Sequence, residues 1–184
     1  MTPVPPTPQD VLAFWLAAEE KWFGGGPAFD AEVRAALLPA HEAAAAGALD
    51  GWRDSVLGAL AWIILMDQVP RNVFRGTPAA FAGDARALDA AEAAVARGFD
   101  QAPGIPPALR TFYYLPFMHA EDAAAQARCL VLYEALGHAE GIAYARIHKE
   151  AIDRFGRFPH RNVILGRDTT AEEQAYLDAG GFSG

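Results

Sequence analysis

Val56-Leu57-Gly58-Ala59-Leu60-Ala61-Trp62-Ile63-Ile64-Leu65-Met66 is the most apolar run of the chain, and its length decides how it is read. At about 11 residues, interrupted by Gly58, it is too short for a bilayer, which takes roughly 20 apolar residues. Apolar side chains nearly all round a helix mark a segment buried on every face. The run therefore predicts the central buried helix of a helical domain, over about Gly51 to Gln68. Leu60, Ile63 and Ile64 lead along one face to Asp67. A carboxylate in a last turn faces the negative end of the helix dipole, and burial penalises it unless a cation is paired with it. Arg71 and Arg75 are the nearest cations in sequence.

Working outward, Thr7-Pro8-Gln9-Asp10 gives an N-cap, a proline at the first helical position and an acid in the first turn. Val11, Phe14, Trp15, Ala18 and Trp22 then follow at helical spacing to about Phe23. Residues 1–6 read as an extended or disordered leader. Gly24-Gly25-Gly26-Pro27 stops the first helix; no Gly-Lys-Ser/Thr follows and no strand precedes, so it is a connector and not a phosphate loop. Asp30 is expected to cap a second helix with Val33, Leu37, His41 and Ala44 on one stripe and Pro39 kinking or splitting it. Gly47 ends that helix, and Asp50 is expected to cap the central one.

Beyond the central helix, Pro70 to Pro78 reads as a loop. Thr77 and Pro78 start a fourth helix with a Phe81, Ala85, Leu88, Val95 stripe and Gly98 as its C-cap. A short fifth helix covers Pro107 to Leu115. The segment Leu115 to Asp122 opens a sixth that closes at Gly137, with His119, Asp122, Gln126, Cys129 and Tyr133 along one stripe. A seventh runs from about Gly141 to Phe155, with Tyr144, His148, Ile152 and Phe155 sharing one face, so that His148 is expected to point inward. Thr170-Ala171-Glu172-Glu173 supplies a capping box for the eighth. The pattern is all-α: about eight helices in antiparallel pairs, one domain over residues 1–184.

Composition narrows the function classes. The chain has 184 residues, 52% hydrophobic and 21% charged, with a formal net charge of −8. That is globular composition, and the acidic balance argues against nucleic-acid binding, which needs a broad basic surface. No apolar segment long enough for the membrane and no secretory signal is visible. The single Cys129 excludes an intrachain disulfide and fits a reducing, cytoplasmic compartment.

Against this acidic background, Arg154-Phe155-Gly156-Arg157-Phe158-Pro159-His160-Arg161-Asn162, continuing to Arg167, carries four arginines and a histidine with no acid until Asp168. Phe155, Phe158, Ile164 and Leu165 alternate with them, so the guanidiniums are expected to lie against a packed wall. Arg71-Asn72-Val73 and Arg161-Asn162-Val163 echo each other, each followed by a glycine and a threonine. Three polar segments are candidates for one anion-binding pocket. They are Asp67, Gln68, Arg71, Asn72 and Arg75; then His119, Glu121, Asp122 and Gln126; then His148, Arg154, Arg157, His160, Arg161, Asn162 and Arg167. His119 and His148 are the candidates for proton transfer. The competing reading is a buried ion-pair network that fixes helix ends. No metal site and no cofactor are expected. The expected partner is a small anionic molecule or a peptide, with a homodimer left open.

Four motifs carry a family resemblance: Asp10-Val11-Leu12-Ala13-Phe14-Trp15, Met66 to Gly76, Leu115 to Asp122, and Arg154 to Asn162. Together they resemble the bacterial "domain of unknown function" family nine-two-four, over about Asp10 to Phe182. The resemblance implies a right-handed array of helix pairs similar to tetratricopeptide-repeat folds, and it implies no established activity. No regular 34-residue period of the tetratricopeptide kind can be traced in the residues themselves. A groove for a peptide is therefore the alternative function, by analogy of shape.

Overall fold

The structure is a computed structural model and describes residues 6–184; the leader expected over residues 1–6 lies outside the described residues except for Pro6. Among the described residues there are eight α-helices, six short 3-10 helices and no strand. They gather into two units: the chain up to Arg75 with Ala79–Pro116, and Gly76–Pro78 with Phe117–Gly184.

In the first unit, α1 (Pro8–Ala17) starts with the capping box of Thr7 and Asp10. It is shorter than its periodicity predicts. After Ala17 the chain tightens into a 3-10 turn, Glu19–Lys21, and the Trp22 indole N–H donates to the Trp15 carbonyl at 2.7 Å. α2 (Gly26–Ala45) begins at the glycine run and not at Asp30. Asp30 is consequently inside the helix, where it accepts two hydrogen bonds from Arg75. Pro39 does not split α2. Gly47, at φ +83°, ends it in the left-handed region that glycine reaches without strain.

α3 (Val56–Val73) is the centre of this unit, packing on α1, α2 and α4 (Asp84–Ala96). Every residue from Gly58 to Pro70 is buried, as a helix apolar all round requires. Two boundaries differ from the sequence reading. Ser55, not Asp50, is the N-cap, accepting from Gly58 N–H at 3.3 Å, while Asp50 opens a 3-10 turn, Asp50–Asp54. At the other end the helix continues through Pro70 to Val73. Burial on all sides stabilises the helical backbone beyond the point where the proline withholds a donor. Thr77-Pro78 leads only to a 3-10 turn, Pro78–Phe81. α4 starts later and buries Ala87, Ala90, Ala91 and Ala94 rather than the larger residues expected. Its alanines and Gly83 allow close approach to α3: a Cβ on Gly83 would lie 2.3 Å from the Met66 carbonyl oxygen.

A buried carboxylate that the sequence reading passed over closes this unit. Asp100 is 3% exposed and accepts from Tyr114 Oη at 2.7 Å and Gln101 Nε2 at 2.8 Å. Burial and the nearby Asp100 charge push both Tyr113 and Tyr114 hydroxyls above the ordinary range.

The second unit is built on α6 (Ala123–Leu136) and α7 (Ala139–Phe155), which pack together across the two-residue link Gly137-His138. α5 (Leu115–His119) precedes them and α8 (Ala171–Asp178) follows. Thus His119 ends α5 and is not on α6. Asp122 is the α6 N-cap, accepting from Ala125 N–H at 2.7 Å. On α7 the buried face is Gly141, Ala145, His148, Ala151 and Ile152; Tyr144, expected inside, is 49% exposed.

Candidate functional site

In the first unit the candidate residues satisfy one another. Asp67 is 1% exposed. It meets Arg71 one turn on at 3.1 Å and accepts from Gln68 Nε2 at 2.6 Å. Arg71 also holds Asp84 through two hydrogen bonds of 2.9 and 3.0 Å. Burial acts against the Arg71 charge, but Asp67 and Asp84 outweigh it and raise its pKa further. Asn72 Nδ2 donates back to the Gln68 carbonyl one turn earlier in α3, at 3.1 Å. Arg75 is the Asp30 partner described above. These ion pairs tie α3 to the first residue of α4, and the residues just after α3 to α2.

In the second unit two glutamates organise most of the basic stretch. Glu121 accepts from Arg167 at 2.7 and 2.9 Å and from the Phe158 N–H at 2.8 Å. Burial works to raise its pKa, but the Arg167 bonds and the Phe158 N–H win and hold it below the usual carboxylate range. Glu173 accepts from Arg157 at 2.6 and 2.9 Å, from Asn162 Nδ2 at 3.2 Å and from the Thr170 N–H at 2.8 Å. The Arg157 bonds lead in pushing its pKa down to about 2. Asn162, fully buried, joins the two clusters because its Oδ1 accepts from Arg167 Nε at 3.0 Å. The chain Glu121–Arg167–Asn162–Glu173–Arg157 is thus one connected network.

The Arg-Asn-Val echo holds only in part. Gly76 and Gly166 both adopt left-handed φ, +75° and +65°. The asparagines do different things: Asn72 binds a carbonyl within its own helix, whereas Asn162 bridges Glu173 and Arg167. Arg154 is on the surface, paired with Glu172 at 3.0 Å and lying over the Phe155 and Tyr176 rings. Gln126, fully buried, donates to the Met118 and Ala120 carbonyls at 2.7 and 2.9 Å and so caps the end of α5.

A different set gathers around the aromatic rings. His148 lies 5.6 Å from Phe158, 6.5 Å from His119 and 4.1 Å from Phe182, centroid to centroid. His160 is 5.7 Å from Phe158 and 5.0 Å from Phe182. The Arg161 guanidinium sits over the Phe158 ring at 4.6 Å, on a residue 6% exposed. His148 Nδ1 is 2.8 Å from the Tyr144 carbonyl. A carbonyl only accepts, so Nδ1 carries the proton and Nε2 keeps the lone pair. Burial, then the neighbouring His119, pushes His148 down to about 3. Burial, then Arg161, pushes His160 down to about 4, against a weaker opposing pull from the Phe182 backbone. Both imidazoles are therefore neutral at neutral pH. His160 Nδ1 is buried and makes no hydrogen bond.

Other features carry less chemistry. Burial pushes the Cys129 thiol up to about 12, which removes its nucleophile. Among the described residues no group of three or more His, Cys, Asp or Glu is arranged to hold a metal ion. No helix among them is long and apolar enough to cross a membrane. A shallow groove of about 370 Å³ on α7 is lined by Arg146, Lys149, Glu150, Asp153 and Arg154. Its charges are matched, with Lys149 on Asp153, Arg154 on Glu172 and Arg146 on Glu134.

The four motifs of the sequence thus fall on defined parts of the fold: α1, the end of α3, α5 with the α6 cap, and the loop after α7. A family model described as bacterial protein of unknown function (DUF924) matches residues 11–181. The chain belongs to this family. A solved structure, that of protein of unknown function ATU0120 from Agrobacterium tumefaciens, is 45% identical in sequence, with a TM-score of 0.88. The alignment covers 94% of this chain and 97% of that one. No match is found among curated proteins.

Sequence reasoning found the histidines and arginines of this family member but missed what divides them. Glu173 reads in sequence as a capping-box residue and nothing more, yet it also holds Arg157 and Asn162. Phe182 lies outside every helical pattern and gives no signal at all.

Proposed function

We propose that this protein binds a small anionic molecule in its second unit, at His119, His148, His160 and Arg161. The observation that carries the reading is a buried guanidinium over the Phe158 ring beside two imidazoles that burial keeps neutral. Arg154, Arg157 and Arg167 are held by Glu172, Glu173 and Glu121, and the Arg161 charge also acts on Glu121; the candidate site contracts from the full basic stretch to the group gathered around the Phe158 ring. Arg161 supplies positive charge; the His148 Nε2 lone pair and the His160 Nδ1 atom supply hydrogen bonding to uncharged parts of a ligand. A neutral imidazole that protonates only near pH 3 or 4 is a weak base at pH 7. Recognition therefore fits these histidines better than proton transfer.

The test is a thermal-shift titration at pH 7 with small carboxylates and inorganic phosphate. A ligand at 100 times its Kd stabilises by about 2.7 kcal/mol, a rise of roughly 5–10 °C for a chain of this size. Wild type and Arg154→Ala should show the rise; Arg161→Gln should not, and Arg161→Lys should keep part of it. An unchanged response in Arg161→Gln, or no response in wild type, sinks the reading.

A second reading, an interaction module for a peptide or a second copy, is favoured by exposed Val131 on α6 and Tyr144 and Ile147 on α7. The helix-pair array similar to tetratricopeptide-repeat folds belongs to that reading. Stabilisation by acidic peptides and by no small anion would select it.

A further inference from the structure

We infer that residues 180–184 form an acid-sensitive strap: they close over His148 and His160 while both imidazoles are neutral, and protonation of the two rings releases them. The inference concerns how the second unit responds to pH, and it stands whether or not an anion binds there.

The strap and the imidazoles hold one another. The Phe182 ring lies 4.1 Å from His148 and 5.0 Å from His160, and it packs on Ala151, Ile152 and Phe158. The Phe182 backbone bonds the His160 ring in a way that favours the charged imidazole, so its carbonyl is the acceptor. His160 Nδ1 makes no hydrogen bond, which leaves Nε2 as the donor. Gly184 lies beside the same ring: a Cβ there would be 3.3 Å from His160 Cδ2. Tyr176 on α8 supplies two further bonds. Its carbonyl accepts from the Gly181 N–H and its Oη from the Phe182 N–H, each at 2.9 Å. Gly180, at φ +81°, turns the chain between α8 and the strap.

The closed arrangement suits neutral rings. A proton arriving at His160 lands on the buried Nδ1. One arriving at His148 lands on Nε2, because Nδ1–H already donates to the Tyr144 carbonyl. Burial, then His119 at the end of α5, acts against a charge on His148; Arg161 and His160 add to this, and the Tyr144 carbonyl opposes it. Burial, then Arg161, acts against a charge on His160, with Arg167 adding to it; the Phe182 carbonyl and Glu121 favour the charge and are outweighed. Phe182 covers both rings, so part of that burial is the strap's own. The closed values of about 3 and about 4, against the ordinary 6.5, make the released state the one that binds more protons. Closure is therefore fully favoured above pH 6.5 and weakens as pH falls below it. Glu121 and Glu173 are both held below the usual carboxylate range, keep their charge just below pH 6.5, and leave that window to the imidazoles.

Amide hydrogen exchange at Gly181 and Phe182, corrected for the intrinsic rate at each pH, tests this. From about pH 7.5 to about pH 5.5 the protection at both should fall about a hundredfold, about tenfold for each imidazole, while the Leu132 and Ala145 amides inside α6 and α7 keep theirs. His160→Gln, which still donates to the Phe182 carbonyl but takes no proton, should show a fall of only about tenfold. Phe182→Ala leaves both imidazoles in place and removes their cover, so imidazole NMR of that variant should find His148 and His160 titrating closer to 6.5 than in wild type. Protection at Gly181 and Phe182 that does not change with pH overturns the inference, as does a parallel loss at Leu132 and Ala145. So does the full fall persisting in His160→Gln, or unmoved histidine titrations in Phe182→Ala.

Discussion

Glu173→Ala is expected to lower the stability of the second unit by about 2–3 kcal/mol, the range for removing one side of a largely buried ion pair with its hydrogen bonds. The carboxylate side chain is 3% exposed and its main partner, Arg157, 30%, so the figure is kept below that of a fully buried pair. Three donors lose their acceptor at once: the Arg157 guanidinium, Asn162 Nδ2 and the Thr170 N–H that begins α8. Urea unfolding monitored by circular dichroism measures the effect. The pH dependence separates this mechanism from simple loss of packing. A carboxyl whose pKa falls from 4.5 to about 2 on folding contributes stability that is fully present above pH 4.5 and is lost as pH falls towards 2. The gap between wild type and Glu173→Gln should therefore shrink across pH 4.5 to 2. A gap that stays constant over that window contradicts the ion-pair account.

Trp62→Ala should cost still more, about 4 kcal/mol, the usual price of deleting a fully buried aromatic side chain. For a chain of this size that is a fall in Tm of roughly 8–16 °C. Trp62 is 0% exposed on α3, with the Arg53 and Arg86 guanidiniums over its ring at 5.2 and 5.3 Å. Phe23→Ala provides the contrast. That ring is 74% exposed, and its loss should change stability by no more than about 0.5 kcal/mol. Differential scanning calorimetry of the two variants against wild type decides the matter, and comparable losses at both positions would contradict the assignment of α3 as the buried centre.

What the residues reveal in order along the chain follows from the range of each interaction. α3 was legible because a helix apolar all round needs no knowledge of its neighbours to be placed inside. The capping boxes at Thr7 and Thr170 were legible because their partners lie three residues away. The ends of α3 were not: Pro70 carries a strong local signal to stop, and burial of the whole segment overrides it. The core of α4 was misread for a related reason. Its inward face is set by how closely it approaches α3, which favours alanine over Leu88 and Phe81.

The candidate site divides along the same line. That the Arg154–Arg167 stretch is held against aromatic side chains could be read from its alternation. Which arginine serves the fold could not, because Arg167 finds Glu121 from 46 residues away and Arg157 finds Glu173 from 16. Net charge and spacing say that acids are available, and only the path of the chain says which acid arrives. His148 was correctly read as inward-facing from its place on α7, but its neutrality depends on burial and on the company of His119, Arg161 and His160. Phe182 follows two glycines in a segment without periodicity, so its position over His148 has no local cause that a sequence pattern expresses.

The central claim is that the binding chemistry lies with His148, His160 and Arg161 around the Phe158 ring, while Arg154, Arg157 and Arg167 serve the fold. Imidazole nitrogen NMR during a benzoate titration at pH 7 tests it most directly. The account predicts neutral histidines before ligand, His148 in the Nδ1–H tautomer, and shifts concentrated on His148 and His160 while His41 and His138 stay still. Charged imidazoles at those two positions, or benzoate leaving both of them unshifted, would contradict it.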